Sequence, residues 1–146
     1  MAISRSAVAL LIAGITVTAC KEHRVEPSHR MSDDFAICVN LPQGAVYQLQ
    51  KRSFDYEIGQ LTLAGNQLEV YIGYQPPYSG KPWPRGSEIT NGFVVVGKER
   101  SDGIEQLLLG NKRQTNRGPV FVMFSAPDLR AAEPALTRKN FVFDCK

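Results

Sequence analysis

Asp55 and Glu57 come nearest, by type and spacing, to a catalytic pair. Two positions apart on an extended segment, they share a face with roughly 7 Å between their backbones. Glycoside hydrolases use carboxylate pairs at such separations, one as acid and the other as base or nucleophile. Period-two alternation offers a plainer account. Phe54, Tyr56 and Ile58 take the apolar face of the same segment, so both carboxylates are expected on its solvent face. Other chemistries lack their parts. His23 and His29, the two histidines, both precede Asp34, where the folded domain is expected to begin. A Ser-His-Asp or Cys-His nucleophile would therefore draw its base from a linker rather than a rigid element. The same placement removes the usual zinc ligands, and Gly59, Gly65 and Gly73 are too widely spaced for a phosphate loop. Neither a metal nor a cofactor is expected, and catalysis is not the leading reading.

Binding chemistry is better represented. Residues 74–86 (YQPPYSGKPWPRG) hold four of the nine prolines, the single Trp and two of the five tyrosines. Proline lowers the entropy lost when a loop is held in one shape, and Tyr, Trp and Arg are enriched in binding hot spots. Tyr74, Tyr78, Lys81, Trp83 and Arg85 are accordingly the candidate binding residues, able to stack on sugar rings or on a partner's side chains. The competing account folds this loop back and uses Trp83 to cap the core. Lys112, Arg113 and Arg117 form a second, basic candidate patch, near Lys98 and Arg100, suited to anionic headgroups or wall phosphates. Charged loops also serve plain solubility.

The N-terminus sets an address. Met1–Ser6 carries Arg5, residues 7–17 are apolar, and Thr18-Ala19 precedes Cys20, the pattern of a signal peptide with a small-residue cleavage site. The apolar run is shorter than the roughly 20 residues that span a bilayer. Val17-Thr18-Ala19-Cys20 resembles the lipobox of bacterial lipoproteins. The resemblance implies removal of residues 1–19, lipidation of Cys20, and anchoring by the two or more chains that stable attachment requires. Lys21 stands where the lipoprotein sorting pattern places Asp for inner-membrane retention, which implies the outer membrane facing the periplasm. Ordinary cleavage and release at the same site is the alternative.

Removal of 19 of the 146 residues leaves 127, enough for one domain with a real core. Sixteen basic and fourteen acidic residues remain, and that balance argues against a nucleic-acid partner. With Cys20 lipidated, Cys38 and Cys145 are the only remaining pair, and an oxidising compartment makes them a structural disulfide.

Residues 20–33 are expected to be the lipidated cysteine and a flexible tether, with residues 34–146 a single stapled domain. Within it, apolar runs at 35–41, 45–51, 54–63, 68–72, 93–97, 104–109, 120–124 and 141–145 read as strands separated by Pro, Gly and Asn-rich turns. A bulge at Gly59 would bring Phe54, Tyr56, Ile58, Leu61 and Leu63 to one face. Gly65-Asn66 and Asp102-Gly103 are turn dipeptides, residues 110–118 a polar loop, and Pro134 limits the short C-terminal helix to a broken or single-turn element. The fold class is therefore mostly β or α+β: an antiparallel sheet of about seven strands, as sandwich, barrel or curved sheet, with one short helix.

The sequence thus predicts an envelope lipoprotein that binds or scaffolds through loop 74–86, with an envelope protein or wall glycan as partner. A lysozyme-inhibitor-like role is the alternative, since Ser79-Gly80-Lys81 resembles the Ser-Gly-containing loops of those inhibitors over two residues. A wall hydrolase using Asp55 or Glu57 ranks third.

Overall fold

The computed structural model describes residues 28–82, 86–90 and 92–145. Cys20, Trp83 and Arg85 lie outside them. Ten strands and one helical turn make up the domain, and every pairing is antiparallel. Strands β1 (Ser28–Ser32), β2 (Ile37–Asn40) and β10 (Val142–Asp144) form a three-stranded sheet in the order β1-β2-β10. Strands β3 (Val46–Arg52), β4 (Tyr56–Leu63), β5 (Asn66–Gly73), β6 (Ser87–Thr90), β7 (Phe93–Ser101), β8 (Ile104–Thr115) and β9 (Gly118–Ala126) form a seven-stranded sheet in the order β3-β4-β5-β9-β8-β7-β6. This is the mostly β, antiparallel class that alternation and turn spacing predict.

Alternation explains how the two sheets meet. Leu61 and Leu63, Leu68, Val70 and Ile72, Phe93 and Val95, Leu107 and Leu109, and Val120, Val122 and Phe124 point to one face of the larger sheet. Ile37, Val39 and Val142 from the smaller sheet close over them, with Phe141 and, from the 127–140 segment, Leu129 and Leu136. Two apolar faces removed from water against each other give one continuous core. The Cys38–Cys145 disulfide, with Cα atoms 5.4 Å apart, ties β2 to the residue after β10.

Four local expectations need correction. Paired structure lies ahead of Asp34 among the described residues: residues 28–32 pair with β2, and Met31 is buried, so His29 is an exposed strand residue and not part of a tether. A single apolar residue among polar ones shows no period, which hid this edge strand. Strand β4 has no bulge at Gly59; the irregularity lies opposite, between Leu49 and Lys51 of β3. Gly59 instead leaves room for the Tyr47 ring, since a Cβ there would lie 2.3 Å from the Tyr47 hydroxyl. The β4–β5 hairpin turns at Ala64-Gly65, not Gly65-Asn66, with φ of 51° and 76°. Residues 110–115 extend β8 instead of forming a loop, leaving only Asn116-Arg117 at the turn. The C-terminal helix is the single turn expected, Glu133–Leu136, with Pro134 in its first turn, where its missing N–H costs nothing.

Candidate functional site

The absence of a bulge in β4 decides which residues reach the free face of the larger sheet. With regular pairing throughout β4–β5, Tyr56, Ile58, Gln60 and Thr62 point away from the core, while Glu57, Gly59, Leu61 and Leu63 point toward it. The outer face is then divided along the strands. One half is apolar: Tyr71, Leu108 and Met123 form a second buried cluster, with Tyr56, Ile58, Tyr78, Val96 and Phe121 packed around it. The other half is polar and carries Gln60, Gln67, Glu69, Gln106 and Ser125.

Loop 74–82 crosses the boundary and is tied down by both halves. Tyr71 Oη donates to the Gln75 carbonyl at 2.8 Å and accepts from the Gln75 amide at 3.3 Å. Tyr78 lies against Gly80 and Gly97, where an added Cβ would come within 2.8 and 2.6 Å of its hydroxyl. Burial pushes the Tyr78 and Tyr71 hydroxyls above the usual phenol range. Gln106 completes the fastening: its Oε1 accepts from Ser79 N and Ser79 Oγ, both at 2.9 Å, and its Nε2 donates to the Pro77 carbonyl at 3.2 Å. The loop is therefore held as a wall rather than left as a flap.

Beside that wall is an open groove of about 480 Å³, lined by Pro77, Ile104, Met123, Ala126 and Pro127 together with the amides of Gln60 and Gln67 and the Glu69 carboxylate. Gln50 Nε2 donates to Gln60 Oε1 and Gln60 Nε2 to Gln67 Oε1, each at 3.2 Å, so three amides on adjacent strands form a ladder that leads into the groove. No protein-family model, curated protein or solved structure matches the chain. The groove must therefore be read from its own chemistry. It offers amide donors and acceptors and one carboxylate, Glu69, beside apolar side chains.

The residues singled out in the sequence are dispersed. Tyr74 turns inward, its ring edge-on to Phe35 at 5.3 Å, while Tyr78 turns to the outer face, so the two tyrosines do not share one surface. Lys81 is exposed. Four of the basic residues are engaged by other groups. Arg113 donates to the Phe35 carbonyl at 3.0 Å, Arg117 pairs with Asp55 at 3.1 Å, and Lys98 and Arg100 pair with Glu133 and Glu105. The Arg117 guanidinium also stacks on Phe54, 3.9 Å from the ring centre, leaving Phe54 77% exposed instead of in the core. What sequence reasoning missed is the glutamines. Gln60 and Gln67 alternate with Leu61, Leu63 and Leu68 and so read as ordinary solvent-face residues; it is the pairing of β5 with β9 that places them beside the groove.

The two carboxylates also separate. Asp55 is exposed beside Arg117, whereas Glu57 is 0% exposed and faces the core side, where Arg52 Nε donates to its Oε1 at 2.6 Å. The expected placement of Glu57 in solvent is therefore wrong. Alternation marked Phe54 and Tyr56 as the apolar face, but those rings are accommodated by Arg117 and by the outer cluster. Glu57 Oε2 and the nearby Tyr47 hydroxyl are both buried without a hydrogen-bond partner. Burial, and then the Glu57 charge, push the Tyr47 phenol from 10.0 up to about 12. A raised acid pKa means that the unfolded chain loses the proton first. This contribution is intact below pH 10 and is lost as pH rises toward 12. Tyr47→Phe is expected to remove that loss: in melts from pH 9 to 12, the variant should gain on wild type as pH rises, with no deficit at pH 7. Parallel pH profiles would refute the assignment.

Proposed function

We propose that this protein is a lipid-anchored component of a bacterial cell envelope, attached through Cys20 and facing the periplasm from the outer membrane, and that its domain is a non-covalent binding module. The lipobox-like Val17-Thr18-Ala19-Cys20 supports the anchor. One observation carries the binding role: loop 74–82 is fastened across the outer face by Gln106 and Tyr71, making a groove whose wall is ordered before any partner arrives. A preformed wall lowers the conformational cost of binding. Catalysis has less support, because Asp55 and Glu57 face different surroundings and each is occupied by an arginine.

A second reading, an inhibitor of a wall-degrading enzyme, draws on the tip of the same loop. Ser79 is held by two bonds to Gln106 beside the exposed Lys81, the sort of stiff projection that enters a cleft. Undiminished lysozyme activity in excess protein would end that reading.

The main proposal is tested in the anchored protein with a photo-crosslinking residue at Ile104, which is 38% exposed on the groove rim. A dominant adduct with an envelope component is expected, together with loss of membrane fractionation in Cys20→Ser. A probe that captures nothing would overturn the binding role, and a Cys20→Ser protein still in the membrane fraction would overturn the anchor.

A further inference from the structure

We infer that the groove takes a neutral glycan bearing acetamido groups, an inference that rests on the binding role proposed for this face. Three features of the groove lead to that class. The first is charge. The lining holds Glu69 and no lysine or arginine, so it does not match a phosphate, a lipid headgroup or another anion. Neither is Glu69 opposed by a second carboxylate that would call for a strongly cationic ligand.

The second is position. The groove lies over β4, β5, β9 and β8, in the interior of the sheet, where the strands' backbone groups are committed to ladder pairing. An extended peptide recognised through its backbone needs a free strand edge. Here recognition falls to side chains alone, and they suit a ligand that carries its hydrogen-bonding groups on its periphery, as a sugar does.

The third is the amide ladder. It runs in one direction, Gln50 to Gln60 to Gln67, and the Gln67 Nε2 has no acceptor among the described residues. A ligand carbonyl placed next in line continues the ladder. Glu69, adjoining it in the lining, accepts from a ligand N–H or hydroxyl. An acetamido group supplies both, and its methyl and the C–H face of the sugar ring are suited to the apolar surface of Met123, Pro77 and Ile104. Gln106 is a positioning residue, because its oxygen and nitrogen are already bonded to Ser79 and Pro77.

The test uses the full-length protein in detergent micelles, sedimented with purified wall sacculi. Retention is expected, with competition by a β-1,4-linked N-acetylglucosamine tetramer and none by the matching glucose tetramer, which lacks the acetamido group. Gln67→Leu, at an exposed position, is expected to keep the wild-type melting temperature and bind about ten-fold more weakly, the effect of one hydrogen bond. Glu69→Gln keeps the side chain's shape and is expected to weaken binding as well. Equal competition by the glucose tetramer, wild-type affinity in Gln67→Leu, or no retention at all would overturn the ligand class. The crosslink at Ile104 separates the two levels. A protein adduct leaves the binding role standing and removes the glycan; no adduct removes both.

Discussion

Replacing Cys38 and Cys145 together by serine is expected to lower the stability of the domain by about 4–5 kcal/mol, the largest effect of any two-residue change outside the core. The bridge spans 107 positions and joins the two ends of the folded chain. Its value follows from topology. Strands β1 and β2 come from the beginning of the domain and β10 from its end, yet the three must form one small sheet. Without the bridge, the β2–β10 pairing must close a loop that contains the whole seven-stranded sheet. Loop-closure entropy rises only logarithmically with length, so roughly 4.7 kcal/mol is the expectation for a loop near 100 residues. For a domain of this size that corresponds to a fall in Tm of roughly 15–20 °C. Calorimetry of wild type and the double serine variant would measure it. A fall of less than about 5 °C would mean that the small sheet is held by its packing on Phe124 and Phe141, whose rings lie 6.4 Å apart across the core, and not by the staple.

Arg52→Ala is expected to be the second large loss, and Arg130→Ala is its control. Both arginines form carboxylate pairs at 2.6 Å, but in different surroundings. Glu57 has no exposed surface, and its second oxygen already lacks a partner, so removing Arg52 leaves a buried carboxylate without its counter-ion. Asp128 and Arg130 are both well exposed, and although Arg130 holds the Asp128 carboxyl down at about 2, water replaces the partner at little cost. The expected result is a clear fall in Tm for Arg52→Ala and almost none for Arg130→Ala. Adding Glu57→Leu to Arg52→Ala should restore most of the loss, because the orphaned charge leaves with it. Equal effects of the two arginine variants would show that solvent reaches Glu57 after all. A double variant no more stable than Arg52→Ala would give the pair a role beyond neutralising that charge.

The sequence by itself determined the class of the fold and much of its core. Leu68, Val70 and Ile72, the run at Phe93–Val95, and Val120–Phe124 are legible because strand alternation and unbroken apolar runs are local properties, written within a few residues. The Asp102-Gly103 turn is local as well, with φ of 50° and 76° meeting the needs of a tight hairpin. The cysteine pair was legible for another reason: with Cys20 set apart by its lipobox-like context, two remain.

Only the tertiary structure decided which face was the site. Whether Tyr56 points to the core or away from it turns on a one-residue shift in register, and that shift was settled by the Tyr47 ring lying over Gly59, a contact between neighbouring strands. Once β4 runs without a bulge, Glu57 goes inward and Gln60 outward. The amide ladder depends on the register of the consecutive strands β3, β4 and β5, and the Gln106 clamp and the groove depend on strands far apart in the chain becoming neighbours, as β5 and β9 do. Alternation states how often a chain presents a side chain to one face; it does not state which strand lies next to it. That is why loop 74–86 could be singled out in the sequence, while the glutamines of the groove beside residues 74–82 could not.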